Sequence, residues 1–134
     1  MVKTLKIKFV FALLAFILVA TAFVYFYVYK QHRNISLEQP DYVLSSKDLI
    51  SEFSLNQEIA NKKYVDQTIS IYGKITSLDL KSRIIIIDDK IVAVLLNDQV
   101  QNFAIGKEIK IKGRLVGYDD LFEEIKMDQS SVLD

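Results

Sequence analysis

The feature that most constrains this chain is an uncharged apolar run near its N-terminus. From Phe9 to Tyr29 the sequence reads FVFALLAFILVATAFVYFYVY, 21 residues without a charge. At ~1.5 Å of rise per residue, a helix of this length spans roughly 30 Å, which is the thickness of a bilayer's hydrocarbon core. The run therefore predicts a single-pass transmembrane helix within residues 1–30, with the membrane as its partner.

Flanking charges predict the orientation of this helix. The bases before the run are Lys3, Lys6 and Lys8, and those after it are Lys30 and Arg33. The positive-inside rule then places the N-terminus in the cytoplasm and the C-terminal domain outside it, in the periplasm. A cleaved signal peptide is the alternative, because Ala20-Thr21-Ala22 matches a small-x-small cleavage site. Both interpretations place the domain outside the cytoplasm.

The rest of the chain divides into a polar tether over 31–45 and one small domain over 46–134. Ser45 or Ser46 is a good N-cap, and apolar residues recur at helical spacing after it, which predicts one helix or two short ones over 47–63. From Thr68 the apolar period changes to two. Five strands are predicted: 68–75, 83–88, 91–96, 108–115 and 122–132.

An internal repeat favours a closed barrel over a flat sheet. Residues 68–79, TISIYGKITSLD, align without gaps on residues 108–119, EIKIKGRLVGYD, with Gly73 matching Gly113. A glycine inside a good strand indicates a bulge or a sharp bend at a barrel corner. Two long bent strands with three shorter ones predict a mainly β (α+β) fold, a five-stranded OB-fold barrel after the N-terminal helix.

The soluble part also resembles a known family. The resemblance covers residues 49–133 and rests on an Ile71-x-Gly73-x-Ile75 segment and on F-x-x-G-K-x-I-x-I-x-G over 103–113, followed by Gly117-Tyr118. These positions are similar to those of bacterial OB-fold domains of the tRNA_anti-like type, often membrane-anchored. The resemblance implies the fold, and the family's name points to nucleic acid. Many members carry a cysteine near the last strand, and this chain contains none.

No catalytic constellation is visible, so the chain is predicted not to be an enzyme and to need no cofactor or metal. It lacks cysteine, and its one histidine, His32, lies beside membrane-flanking bases. The absence of a later histidine argues against a second anchored OB-fold group, the haem chaperones. The acidic pairs Asp88-Asp89, Asp119-Asp120 and Glu123-Glu124 are interpreted as solvated turn residues.

One strand face is the candidate binding surface. Its members are Tyr72, Lys74, Arg83, Lys110, Lys112 and Arg114. Basic residues with a stacking aromatic are what OB-folds use for single-stranded nucleic acid. However, residues 41–134 hold 12 basic and 16 acidic side chains, a net charge of −4, which argues against a polyanion. The predicted function is therefore an extracytoplasmic interaction module of the cell envelope with a protein, peptide or glycan partner, and single-stranded nucleic acid (tRNA or ssDNA) is the alternative. Replacing Lys110, Lys112 and Arg114 together by Glu is expected to leave the fold intact.

Overall fold

The computed structural model of this chain describes residues 1–29, 33–97 and 103–133. They form two compact units, Met1–Arg33 and Asn34–Asp134. The first unit contains one helix, α1, over Val2–Val28, and none of its residues is buried. Its mean hydropathy reaches 2.7, so it is long and apolar enough to cross a membrane, as both a membrane anchor and a signal sequence would be. The predicted apolar helix is confirmed.

The second unit is a closed barrel of five strands with one extra strand and two helices. Its elements are β1 (Tyr42–Ser45), α2 (Ser46–Leu55), α3 (Gln57–Tyr64), β2 (Thr68–Asp79), β3 (Ile84–Ile87), β4 (Ile91–Leu95), β5 (Glu108–Asp119) and β6 (Glu124–Leu133). The strand order is β1-β2-β3-β4-β6-β5, and β2 also pairs with β5. This closure confirms the predicted OB-type barrel.

Alternation along the strands builds the core. In β2 and β5 the isoleucines at alternate positions point inward, and Ile69, Ile71 and Ile111 are fully buried. The two strands pair antiparallel, with Ile71 opposite Ile111. Buried apolar residues of the remaining barrel strands complete this core: Ile85, Ile87, Ile91, Ala93, Ile125 and Met127.

Two helices rather than one precede the barrel, because Asn56 separates them. Asn56 is the last cap of α2 and the first cap of α3, and its Oδ1 accepts the Ile59 N–H at 3.1 Å. The predicted Ser45 cap is confirmed, since its Oγ accepts the Asp48 N–H at 3.1 Å. Phe53 of α2 joins the core and stacks on Tyr118, with 5.7 Å between the ring centroids.

The folded unit begins earlier than the sequence indicated. Residues 31–45 were predicted to be a tether and the domain to start at 46, but Ile35 lies in a 3₁₀ helix (Ile35–Leu37) and is fully buried. It packs where this short helix contacts β5 and β6. Strand β1 also falls in the predicted tether. Because β3 has only four residues, it pairs with β2 only from Ile75 onward. Strand β1 pairs with residues 69–72 of β2, which β3 does not reach.

The repeat extends into the two turns that follow the long strands. In each turn the carboxylate of the strand's last residue, Asp79 or Asp119, accepts the backbone N–H groups two and three residues ahead, at 3.0 and 3.3 Å. The Ser82 N–H and its neighbours hold the pKa of Asp79 below its usual value. A hydrogen bond from Lys126 does the same for the pKa of Asp119. These two carboxylates stabilise turns by accepting backbone hydrogen bonds.

The repeated glycines are explained by close approach more than by bending. A Cβ at Gly73 would lie 2.4 Å from Ser46 Oγ and 2.6 Å from Ile87 Cγ2. One at Gly113 would lie 2.4 Å from Ser130 Oγ. The predicted bulge holds for Gly113, which lies at a register shift between β5 and β6. At Gly73, where the sequence predicted a bulge or a sharp bend, the bulge is not found, because the pairing with Ile109 is regular.

We expect Gly73→Ala to destabilise the barrel by ~1–3 kcal/mol, because the new methyl group overpacks the space beside Ser46 and Ile87. The free energy of unfolding, measured by urea titration of the full chain in detergent, checks this. Ser77→Ala on the exposed side of the same strand is the matched control and should change it by less than ~0.5 kcal/mol. Equal effects of the two substitutions would show that Gly73 is not needed for close packing.

Candidate functional site

The closing pair of the barrel, β2 with β5, brings most of the predicted face together. The register places Tyr72 opposite Lys110, Ser70 opposite Lys112 and Thr68 opposite Arg114. Lys74 follows Tyr72 by two positions and therefore shares its side of β2. Five of the six predicted residues thus lie along the outside of one strand pair, and the sixth, Arg83, does not.

Only one half of this face is open to solvent. Tyr72 is 52% exposed, and Lys74 and Lys110 are exposed beside it. Among the described residues, neither lysine takes part in an ion pair. We call this half the seam surface and define it as Tyr72, Lys74 and Lys110 with two neighbours, Phe103 and Lys107.

Phe103 and Lys107 extend the seam surface beyond what the sequence predicted. They line a cleft of about 310 Å³ together with Tyr72 and Lys110. Lys107 Nζ lies 5.8 Å from the centroid of the Phe103 ring, which is cation–π distance. In the sequence, the F-x-x-G-K segment that contains both residues indicated only packing and turn positions. The nearby residues 98–102 fall outside the described part of the chain.

A second cleft, of about 290 Å³, lies on the other side of Tyr72. It is lined by Lys74, by Lys47 of α2, and by Asp88 and Glu108. Asp88 is engaged, because its carboxylate accepts a short hydrogen bond from the Ser46 hydroxyl. The two clefts share Tyr72 and Glu108, so the exposed phenol ring stands between two lysine-lined hollows.

Lys112 belongs to the fold rather than to a binding surface. It is only 9% exposed, and its Nζ donates to the carbonyl oxygens of Ser36 at 2.8 Å and Glu38 at 2.9 Å. These bonds hold the segment that carries the buried Ile35 against the barrel. The register puts Ser70 directly across from Lys112, and Ser70 is fully buried as well.

Arg114 is also engaged within the fold. Its guanidinium makes a bidentate pair with Asp128 on the neighbouring strand β6, at 2.9 and 2.5 Å. It also lies 3.7 Å from the Asp66 carboxylate. The expectation that Lys110, Lys112 and Arg114 can all be replaced by Glu without harm to the fold is therefore wrong for the last two.

Arg83 lies apart from the seam surface. It stands just before β3, at a positive φ of 56°, and its Nη1 donates to the Leu96 carbonyl at 2.8 Å. It therefore helps to fasten the β2–β3 turn to the end of β4. The sequence grouped it with the other bases because strand alternation could not show which pair of strands it would join.

The outer face of β3 and β4 has a different chemistry. Its side chains are aliphatic, with Ile84 opposite Val94 and Ile86 opposite Val92. Their inward-pointing neighbours form the core, and these four are half-buried or exposed. OB-folds bind oligonucleotides on this pair of strands, yet here these outward positions carry neither an aromatic ring nor a cation.

The fold and its surfaces can now be compared with known proteins. The tRNA_anti-like family model matches residues 1–123. This chain belongs to the tRNA_anti-like family. No curated protein matches it. The family's fold is also seen in the crystal structure of a protein of Klebsiella pneumoniae subsp. pneumoniae, described as a "putative nucleic acid-binding lipoprotein". The TM-score is 0.56 at 17% sequence identity, over 69% of this chain and 91% of that one.

This likeness shows the shared fold, and the site has to be judged on its own residues. Within the described ranges, no group of three or more metal-ligating side chains comes together. The prediction that this family member is not an enzyme stays a prediction.

We expect Lys112→Glu to lower the free energy of unfolding by ~2–4 kcal/mol, because it places a carboxylate against two carbonyl oxygens in a buried site. Lys110→Glu, two residues away on the same strand, is the matched control and should cost less than ~0.5 kcal/mol. Urea unfolding of both full-length variants checks this. An equal, small effect would mean that the Ser36 and Glu38 contacts do not hold the segment down.

Proposed function

We propose that this chain is a membrane-anchored, extracytoplasmic binding module of the cell envelope, whose seam surface holds an acidic protein, peptide or glycan. The observation that carries the proposal is the exposed Tyr72 ring between Lys74 and Lys110, with no ion pair to either lysine in the described part of the chain. A lysine without an ion pair can pair with a partner of opposite charge without first breaking a contact inside the protein, and tyrosine is a common interface anchor.

The composition of the seam surface favours a ligand that combines negative charge with an apolar or flat group. Tyr72 and Phe103 offer two rings, and Lys107 already lies close to one of them. The lysines supply long-range attraction that is sensitive to salt. Binding to this surface should therefore weaken as ionic strength rises.

The anchoring part of the proposal rests on α1 and its flanking bases. The helix is apolar throughout its central part and lies at the N-terminus. Residues 29–33 are all that connect Val28 to the folded unit that begins at Asn34. The sequence predicted a tether of 15 residues, so an anchored module would have a much shorter connection than expected.

Single-stranded nucleic acid is a second candidate ligand for the same surface. Proteins bind such ligands with lysines interleaved with exposed aromatic rings. The Klebsiella protein of similar fold is described as a "putative nucleic acid-binding lipoprotein". The aliphatic face of β3 and β4 and the acidic net charge of the domain weigh against it.

We expect Lys74→Glu/Lys110→Glu to reduce capture of the partner at least tenfold, because the variant reverses two of the three lysine charges of the seam surface. The measurement is quantitative pull-down from solubilised membranes with the full chain. Lys62→Glu/Lys81→Glu has the same charge change at exposed positions elsewhere and is the matched control. Equal capture by the two double variants would exclude the seam surface.

The nucleic-acid candidate is tested on the same proteins by anisotropy of labelled oligo-dT and oligo-U. Binding by the unmodified chain that falls with salt and disappears in the seam variant would make nucleic acid the ligand. Absence of binding at low salt would leave the protein, peptide or glycan proposal in place.

A further inference from the structure

Strand β1 has a free side. Within the described residues it pairs only with β2, in parallel. On β2, Thr68 faces β1, because its carbonyl accepts the Asp41 N–H at 2.7 Å and its own N–H donates to the Asp41 carboxylate at 3.1 Å. The even-numbered residues of β2 therefore face β1. With Tyr42 opposite Ile69 in a parallel pair, Tyr42 and Leu44 bond to these even residues, so the N–H and C=O groups of Val43 and the N–H of Ser45 point away from β2.

This free side borders a cleft of about 370 Å³. Residues 42–44 of β1 form one wall, and Asp48, Ser51 and Glu52 of α2 form the other, with Tyr64 also lining it. A cleft between a strand edge and a helix is the shape that receives an extended peptide by strand addition. The backbone groups supply affinity there, and the walls supply selectivity.

Apart from its short length of four residues, β1 lacks the usual features that protect an edge strand. Natural edge strands are often blocked by a lysine, a proline or a bulge. Tyr42–Ser45 contains neither of those residues, its pairing with β2 runs without a register shift, and Val43 is 57% exposed. The strand therefore has the backbone geometry needed to pair with another strand.

The charge of the cleft favours a basic peptide. Glu52 is committed within the fold, since it accepts the Tyr64 hydroxyl at 2.9 Å and pairs with Lys63 at 3.1 Å. Hydrogen bonding with Tyr64 first, and then with Glu52, raises the pKa of Lys63 to about 12, so the Lys63 ammonium stays protonated. Asp48, on the same helix wall, has no ion pair among the described residues.

We propose that the free edge of β1, with the adjoining α2 wall, binds an extended peptide as an additional strand and that a Lys or Arg side chain of the peptide pairs with Asp48. Val43 offers its N–H and C=O groups to this peptide, and Ser45 offers its N–H. The site is separate from the seam surface, so it goes beyond the proposed function and does not depend on it.

The test uses the full chain in a neutral detergent and a fluorescein-labelled octapeptide of alternating Val and Lys. Two matched peptides are the controls: one N-methylated at two consecutive central residues, which interrupts the ladder on both edges, and one of alternating Val and Glu. We expect both to bind at least tenfold more weakly than the Val/Lys peptide. Saturation with that peptide should slow amide exchange at Val43 and Ser45 at least tenfold.

Two variants test the role of the cleft wall. Asp48→Asn should weaken Val/Lys peptide binding at least threefold, and Glu58→Gln on α3 should leave it unchanged. Lys74→Gln/Lys110→Gln should also leave it unchanged, because the seam surface is a different site. Equal binding of the N-methylated peptide, or unchanged amide exchange at Val43 and Ser45, would overturn the proposal. Equal binding by the Asp48→Asn variant would overturn its charge pairing.

Discussion

The pairing of β2 with β5 is the contact on which the rest of this structure depends, because it turns an open sheet into a closed barrel. Seven residue pairs, from Thr68–Arg114 to Lys74–Glu108, form it. On the inside it aligns Ile69 and Ile71 with the core; on the outside it aligns Tyr72 with Lys110. Other elements pack so closely on this pair that neither of its aligned glycines has room for a side chain: a Cβ at Gly73 would meet Ser46 and Ile87, and one at Gly113 would meet Ser130.

Lys112 divides the outer face of this strand pair into two parts with different roles. Its ammonium group binds the carbonyls of the segment before β1, and Arg114 beyond it binds Asp128. Toward the other end of the pair, Tyr72, Lys74 and Lys110 are exposed and make no ion pair within the described ranges. A row of bases that looks uniform in the sequence is therefore structural at one end and available for binding at the other.

Strand periodicity and the internal repeat were enough to predict the barrel. Alternation fixed the inward residues of β2 and β5, and the aligned glycines identified the two equivalent strands. Patterns of this kind could not reveal β1, because four residues are too few to show a period. Nor could they show that Ile35 is buried, because it lies in a segment rich in polar residues. They also could not show the aliphatic outer face of β3 and β4, since IIII and IVAVL are apolar on both sides. The engagement of Lys112 depends on a partner 74 residues away, which only the fold reveals.

The central claim is that this barrel works as a binding module held outside the cytoplasm. The most direct measurement is protease accessibility of the C-terminal domain in spheroplasts, with a cytoplasmic protein as the internal control. Digestion of the domain without lysis, while the control stays intact, is the predicted result. Protection of the domain until the cells are lysed would contradict it and would make single-stranded nucleic acid the first ligand to test.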